Sequence, residues 1–333
     1  MPDSFPLVTV IATCFNHERY VVESLESIRA QTYPNVQLIV ADDASTDGSV
    51  ELIRTWAGET ATVCTFVFHE ENQGVCRTRN DALAHARGAY VSSLSTDDVW
   101  LPEKLAIQVA QLERLPREVG VVYGDAYLMD GDGRPLPKMF FESSRETRSF
   151  AEPPEGDIYE KLLEVCFVPA MTTMVRKECF EEVGPYDESL AYEDWDMLLR
   201  LARRYRFAFT PYVGARYRIH GDSLWQTLGS RAWETEIRIF RKHLGNSPES
   251  DALLRDRIAR ASYRLGRPER LAYARDNLRS NPSAGALFLY LLCLARLPYR
   301  LVAPLKRAAT RAGLRLGHPG YPASERSPTE TSL

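Results

Sequence analysis

Four times in the first 115 residues, a short run rich in Val, Ile and Leu gives way to a helical pattern, and this alternation limits the possible folds more than any other feature of the chain. The pairs are LVTVIAT (7–13) with VVESLESIRAQ (21–31), VQLIVADD (36–43) with SVELIRTWA (49–57), TVCTFVFH (62–69) with RTRNDALAHA (77–86), and AYVSSL (89–94) with EKLAIQVAQLERL (103–115). Strands that are apolar throughout must be covered on both faces, and the helices between them serve as crossovers. The rhythm therefore predicts an α/β domain built on a mostly parallel sheet. In such sheets ligands bind beyond the carboxyl ends of the strands. The polar residues at those ends are Thr13 to Asn16, Asp42 and Asp43, the 69–74 segment, and LSTDDVWLPEKL (94–105).

The rhythm stops after GVVYGDAYLMD (120–130), where DGDGRPLPK is rich in turn formers and residues 142–157 read as a surface loop. Strand and helix patterns return at MTTMVRKECFEEVG (171–184) and YEDWDMLLRLARR (192–204), followed by a strand-like FAFTPY and then RYRIHGDSL. From about Arg231 the pattern is helical. Three regions are expected: a sheet domain over 1–228, a helical C-terminal region over 229–317, and a disordered Pro/Ser-rich tail over 318–333.

Charge follows a similar division. Residues 1–283 hold 34 Lys and Arg against 43 Asp and Glu, whereas Ala284 to Ser324 carries Arg296, Arg300, Lys306, Arg307, Arg311 and Arg315 and no acid. An acidic body argues against nucleic acid as a partner. The basic residues, interleaved with Leu, Ala and Val, fit either a packed helical hairpin or a peripheral contact of residues 284–317 with anionic membrane. No window approaches 18 consecutive apolar residues, and MPDSFPLVTV has no basic segment followed by an apolar one. The expectation is a cytoplasmic chain, with any membrane contact at the inner face. Six cysteines without a C-x-x-C pair predict neither a zinc ribbon nor a disulfide framework.

No G-x-G-x-x-G follows the first strand and no G-x-x-x-x-G-K-[ST] occurs, which removes the dinucleotide cradle and the P-loop. ADDAST (41–46) reads first as a helix cap from Ser45 or Thr46 and second as a binding turn. The adjacent Asp97 and Asp98 also admit two accounts. One is a turn before a helix that starts at Pro102; the other is a site where a divalent cation offsets the repulsion.

Taken in order, VTVIATCFNHERYVVESLESIRAQTYPNVQLIVADDASTDGSVELI, NQGVCRTRNDALAHARGAYVSSLSTDDVWLPEKL, VGPYDESLAYEDWDMLLRLA and YRIHGDS resemble the family 2 glycosyltransferases. The resemblance runs over about residues 6–224. It implies the GT-A fold, here with a helical C-terminal extension, and transfer of a sugar from a nucleotide diphosphate donor to an acceptor hydroxyl with inversion at the anomeric carbon. Implied partners are the nucleotide sugar and a glycan or lipid-linked acceptor, in cell-envelope or capsule polysaccharide or glycolipid assembly. The Q-x-x-R-W motif of processive synthases is missing, so one sugar per reaction is expected.

Residue by residue, the resemblance implies that Thr13 and Asn16 belong to the first nucleotide-binding turn. Asp43 would accept the imide N–H of a uracil base, favouring a UDP-sugar. Arg79 would pair with donor phosphate. Asp97 matches the last acid of the D-x-D motif, the residue expected to hold Mn²⁺ or Mg²⁺ against the diphosphate. Ser95 stands where that motif commonly has its first acid, with Thr96 between them on the nucleotide side; a hydroxyl there can bond a ribose or a metal-bound water but supplies no charge. His220 would lie close to metal and diphosphate. Asp194 would be the general base, its pKa raised by partial burial and by Glu193 beside it. Apart from the resemblance, Trp195 reads as a packing residue or, beside the base, as an aromatic that could stack on the acceptor.

Two other readings share such a sheet. Nucleotidyltransferases attack the alpha phosphate of a nucleoside triphosphate but usually carry a Gly-rich basic first turn, which ATCFNHERY lacks. A non-catalytic nucleotide-sugar binder is the other, left open by Ser95.

Overall fold

The repeated strand and helix patterns become β1 (Val8–Cys14), α1 (Val21–Arg29), β2 (Val36–Asp42), α2 (Ser49–Glu59), β3 (Cys64–Phe68), α3 (Val75–Leu83), β4 (Tyr90–Ser95), a two-residue β5 (Val99–Trp100) and α4 (Lys104–Arg114). Every residue of β1 is buried, as its unbroken apolar run requires. On α4, Leu105, Val109 and Leu112 recur at helical spacing and join a core with Val8, Val10, Ala12, Leu25 and Ile28. The computed structural model describes residues 5–143 and 148–303.

The chain continues as β6 (Val119–Tyr123), β7 (Ala126–Asp130), β8 (Pro135–Met139), α5 (Phe140–Ser143), α6 (Tyr159–Glu164), β9 (Met174–Arg176), α7 (Lys177–Val183), α8 (Asp194–Ala202), β10 (Arg206–Phe209) and β11 (Ala215–Ile219). A seven-stranded sheet has the order β10-β6-β9-β4-β1-β2-β3, and a four-stranded sheet has the order β5-β11-β7-β8. In the larger sheet β4, β1, β2 and β3 are mutually parallel, while β9 runs antiparallel to both β4 and β6. This mostly parallel α/β sheet is the one expected. Thr13 lies opposite Ser95 and Cys14 opposite Asp42, so β1, β2 and β4 end at one level. That level is where a ligand is expected.

Two details depart from the local pattern. The run 120–130 is two strands in different sheets, divided at Gly124, where a Cβ would come within 2.9 Å of the Tyr212 carbonyl oxygen. The turn-rich DGDGRPLPK supplies β8, with Pro135 and its neighbours largely exposed on an edge strand, a position that tolerates proline.

A second unit takes in Leu224 onward and is helical: α9 (Leu224–Thr227), α10 (Ser230–Lys242), α11 (Pro248–Arg264), α12 (Arg270–Ser280) and α13 (Ala284–Leu294). Ser247 and Ser283 cap α11 and α13 by accepting the N–H of Ser250 and Ala286. Ala259, Tyr263, Ala274, Leu289 and Cys293 form its small core. Among the described residues no helix is long and apolar enough to cross a membrane. The expected disordered tail (318–333) and the basic residues Lys306, Arg307, Arg311 and Arg315 lie outside the described residues.

Candidate functional site

Chain segments from the ends of β1, β2 and β4 are stitched together at the carboxyl edge of the large sheet. Thr13 accepts the Thr96 N–H at 2.9 Å, and the Cys14 carbonyl accepts the Asp43 N–H at 3.0 Å. Asn16, with φ +57°, donates its N–H to the Ser45 hydroxyl and accepts the Thr46 N–H on its side-chain oxygen, both at 2.8 Å. Neither Ser45 nor Thr46 caps α2, which starts after Gly48; Ser45 turns back to the Asp42 carboxylate instead. The Asp43 carboxylate accepts the N–H groups of Gln73 and Gly74 at 2.7 and 2.8 Å and lies 3.0 Å from His69 Nδ1. Gly74 has φ +86°, a conformation that favours glycine and turns its N–H toward that carboxylate. Beside it, Phe68, His69, Glu70, Gln73, Arg77 and Asp81 line a recess of about 510 Å³.

The two carboxylates of STDD have separate surroundings. Asp97 Oδ2 is 3.0 Å from His220 Nε2 and 3.7 Å from His17 Nε2, and His17 Nδ1 is held at 2.9 Å by the Thr96 hydroxyl. Burial alone would raise the Asp97 pKa, but the charge of His17 and hydrogen bonds from His220 and Ser95 outweigh it and hold the group below the usual carboxylate range. Asp98 Oδ1 accepts the Arg218 N–H at 2.9 Å, while burial and then the charge of Asp97 push its carboxyl well above that range. Arg218 also donates to the Asp97 carbonyl at 2.8 Å and to Glu23 at 2.6 Å, which fixes β11 against the STDD turn.

Asp97 Oδ1 is buried and accepts no hydrogen bond, and His220 Nδ1 is likewise buried without a partner. A buried carboxylate oxygen facing no donor is costly unless a cation or a ligand meets it. The residues present therefore fit a divalent cation at Asp97 and His220. Among the described residues, no three His, Cys, Asp or Glu side chains are already gathered as a closed cage.

A second acidic pair opens α8. Glu193 occupies the N-cap position and pairs with Arg79 at 3.0 Å, both side chains 9% exposed. Arg79 Nε has no partner, and its guanidinium lies over the Tyr186 ring, 6.0 Å from the centroid. Asp194 accepts the Trp195 N–H at 2.7 Å. Burial, with the Glu193 charge adding to it, pushes the Asp194 carboxyl up to about 7. Asp194 and Arg79 line a small void of about 30 Å³ with Ser93, Thr173 and Tyr186. Burial raises the Tyr217 phenol, and the charges of Asp98, Asp97 and Asp194 all add to the effect, so one side chain lies in the field of both acidic pairs.

Thr13, Ser95, Thr96, Asp97 and His220 are thus gathered at one edge, and Arg79, Glu193 and Asp194 form a second group. Trp195 belongs to neither by its side chain. It is 1% exposed and its indole N–H donates to the Leu162 carbonyl at 2.7 Å, so the expected stacking partner presents no open ring face in this structure. Sequence reading singled out the 69–74 segment that holds His69 but missed His17 and Arg218, which meet their partners across long chain separations. The available signal was their position: His17 follows β1 by three residues, and Arg218 precedes His220 by two.

The glycosyl transferase family 2 model matches residues 9–184, more than half of the chain. The chain belongs to this family. Asp194 and His220 fall beyond the family 2 match. Its relatives include the glycosyltransferase TuaG of Bacillus subtilis (strain 168), named for teichuronic acid biosynthesis, which is 31% identical over 52% of this chain and 63% of its own length. An uncharacterized glycosyltransferase of Rickettsia bellii is 27% identical over 66% of this chain but only 30% of its own length. The chain therefore spans less than two thirds of these curated relatives. Among solved structures, S. aureus TarS 1–349 with UDP-GlcNAc has a TM-score of 0.62 at 18% identity, covering 92% of each chain. The Pyrobaculum calidifontis mannosyltransferase PcManGT, with GDP-Man and Mn²⁺, has a TM-score of 0.59 at 22% identity, covering 95% of this chain and 88% of its own. The fold is that of the GT-A glycosyltransferases.

Proposed function

We propose that this chain is an inverting glycosyltransferase that moves one sugar from a nucleotide diphosphate donor to an acceptor hydroxyl. The observation that carries the reading is Asp194, a buried carboxyl raised to about 7 at the start of α8 in a family 2 chain. A base poised near neutral pH takes the acceptor proton as the hydroxyl oxygen attacks the anomeric carbon. The bond from that carbon to the diphosphate oxygen breaks on the opposite face, its electron pair leaves with the nucleoside diphosphate, and configuration inverts. Arg79, expected to pair with donor phosphate, is engaged by Glu193 at 3.0 Å instead, and this pair lies beside the base. Thr13, Asn16, Ser95 and Thr96 form the nucleotide side of the cleft, and Asp43 both fastens the 73–74 turn and faces the base. A uracil imide fits Asp43, and TarS is a neighbour titled with UDP-GlcNAc, which supports a UDP-sugar.

Asp97 and His220 would hold Mn²⁺ or Mg²⁺, whose chemistry is to offset the charge of the departing diphosphate. The Mn²⁺ in the PcManGT title and the orphaned Asp97 oxygen support a divalent cofactor. The catalytic region is taken as residues 1–228, with 229–317 a helical extension.

The acceptor is a glycan or lipid-linked saccharide of the cell envelope, a reading supported by the teichuronic acid name of TuaG. Peripheral contact with the inner face of the membrane suits such an acceptor. On α13 and just after it, Leu287, Phe288, Leu291, Leu294, Leu297 and Leu301 are exposed, with Arg296 and Arg300 among them. Each basic residue near an anionic surface contributes about 1 kcal/mol. In vesicle flotation with anionic lipid, a Leu287→Ser/Phe288→Ser/Leu291→Ser variant should lose recovery; equal recovery rejects the contact.

Release of nucleoside diphosphate from a panel of nucleotide sugars with Mn²⁺ or Mg²⁺ tests the activity. Acceptor-dependent release that disappears in Asp194→Asn is expected. Pyrophosphate release from nucleoside triphosphates instead would mean a nucleotidyltransferase, and donor binding without turnover would mean a binding protein.

A further inference from the structure

We infer that His69 sets the base selectivity of the donor site: its ring occupies one oxygen of the Asp43 carboxylate, so that a base with a single N–H, such as uracil, is matched and guanine is not. This rests on the reading of Asp43 as the acceptor for the donor base.

The imidazole is fixed from three directions. His69 follows β3, and its backbone N–H donates to the Asp42 carbonyl at 3.0 Å. Nδ1 stands 3.0 Å from Asp43 Oδ1, and Nε2 stands 3.1 Å from Oδ2 of Asp81 on α3. Asp81 in turn accepts a hydrogen bond from Arg77 Nε at 2.9 Å. The His69 side chain is 12% exposed, which leaves the ring little room to swing away.

A carboxylate offers about four lone-pair sites. Asp43 Oδ1 meets the Gln73 N–H at 2.7 Å as well as the His69 ring, which uses both of its sites. Oδ2 meets the Gly74 N–H at 2.8 Å and keeps one. The ring occupies its place on Oδ1 whichever of its nitrogens carries the proton. Asn72 closes the same segment on the Asp43 carbonyl at 3.2 Å, so residues 69–74 are wrapped around this one aspartate.

Uracil presents one N–H between two carbonyl groups, and the site left on Oδ2 takes it. Guanine presents N1–H and N2–H side by side, a pattern that calls for both carboxylate oxygens. With Oδ1 taken, one of those donors goes unmatched, at a loss of about ten-fold or more in affinity. Thymine has the same imide edge as uracil, so the selectivity is for an imide. The imidazole also lines the recess of about 510 Å³ beside Phe68 and Gln73. A methyl group in its place opens Oδ1 toward that recess and frees the second acceptor.

Calorimetric titration of the full-length protein with UDP, GDP and 3-methyluridine diphosphate, each with Mn²⁺, tests the assignment. UDP should bind the wild type at least about ten-fold more tightly than GDP. In His69→Ala the two affinities should come within about three-fold of each other, with GDP gaining in absolute terms. His69→Asn, whose amide nitrogen takes the place of Nδ1, should keep the wild-type ratio. A purely structural role weakens both nucleotides together, so an unchanged ratio in His69→Ala overturns the assignment of His69. Equal affinity for UDP and GDP in the wild type overturns it without any variant. Methylation at N3 removes the uracil donor, so 3-methyluridine diphosphate should bind about ten-fold or more weakly than UDP; undiminished binding overturns Asp43 as the base acceptor. Failure of the wild type to bind any nucleoside diphosphate overturns the donor reading itself.

Discussion

Two adjacent acidic pairs, Asp97 with Asp98 and Glu193 with Asp194, look alike in sequence and are relieved by different donors. In each pair like charges are forced together and buried, and in each one member is relieved while the other carries the cost. At the strand end the relieved member is the first, Asp97, because His17 and His220 converge on its carboxylate; Asp98 keeps only a backbone N–H and is driven well up. At the helix start the first member again takes the cation, Glu193 with Arg79, and Asp194 is left to be raised to about 7. The difference lies in the donors. Imidazoles can exchange their contact with a carboxylate for a metal ion, whereas a guanidinium cannot bind one. The first pair is thus suited to hold a cation and the second to hold a proton.

The largest effect should come from Asp194→Asn. Loss of a general base lowers turnover by about 10²–10⁴-fold, with donor binding unchanged by calorimetry. The same change should raise stability at high pH. A carboxyl raised to about 7 from an ordinary 3.8 is neutral in folded and unfolded chains in strong acid. As pH rises through the unfolded value, only the unfolded chain ionises, and stability falls until the folded group also ionises near 7. The lost stability has a ceiling of about 4 kcal/mol, so Asp194→Asn should melt higher than wild type at pH 8 and no higher at pH 4. Near-normal turnover with intact donor binding would end the assignment of the base.

Next comes Asp97→Asn, which removes the carboxylate that both imidazoles face. Cation-dependent donor binding should weaken by about 10–100-fold, read by thermal shift with and without Mn²⁺; an unchanged metal response breaks the contrast between the pairs. Glu193→Gln should act more gently. Taking away the neighbouring negative charge favours ionised Asp194, so the midpoint of the turnover profile should move to lower pH. A midpoint that stays fixed means that Glu193 does not tune the base. The smallest effect is expected from Asp98→Asn, since an amide oxygen still accepts the Arg218 N–H; denaturant unfolding should change by about 1 kcal/mol or less.

How far the sequence carries differs between fold and site for a physical reason. Strands buried on both faces must be apolar along their length, so β1 to β4 and their helices are visible in the local pattern. Gly124 is different, because the close approach of Tyr212 that makes glycine necessary arises only when the chain has switched sheets. The acids of the site were legible because Asp97 and Asp194 stand in recognisable contexts. His17 reaches Thr96 across 79 residues and Arg218 reaches the Asp97 carbonyl across 121, and no local pattern announces such meetings. Trp195 shows the reverse: an aromatic beside the base invites a substrate role, yet its ring fills the core.

The most direct measurement of the central claim, that the second pair holds the proton, is the pH profile of turnover for the full-length protein with saturating donor, acceptor and Mn²⁺. Turnover should rise with a single ionisation through about 7 and level off above it, in step with the Asp194 carboxyl. A profile flat from pH 5.5 to pH 8.5, a range of about 1.5 units on either side of that value, would contradict the account.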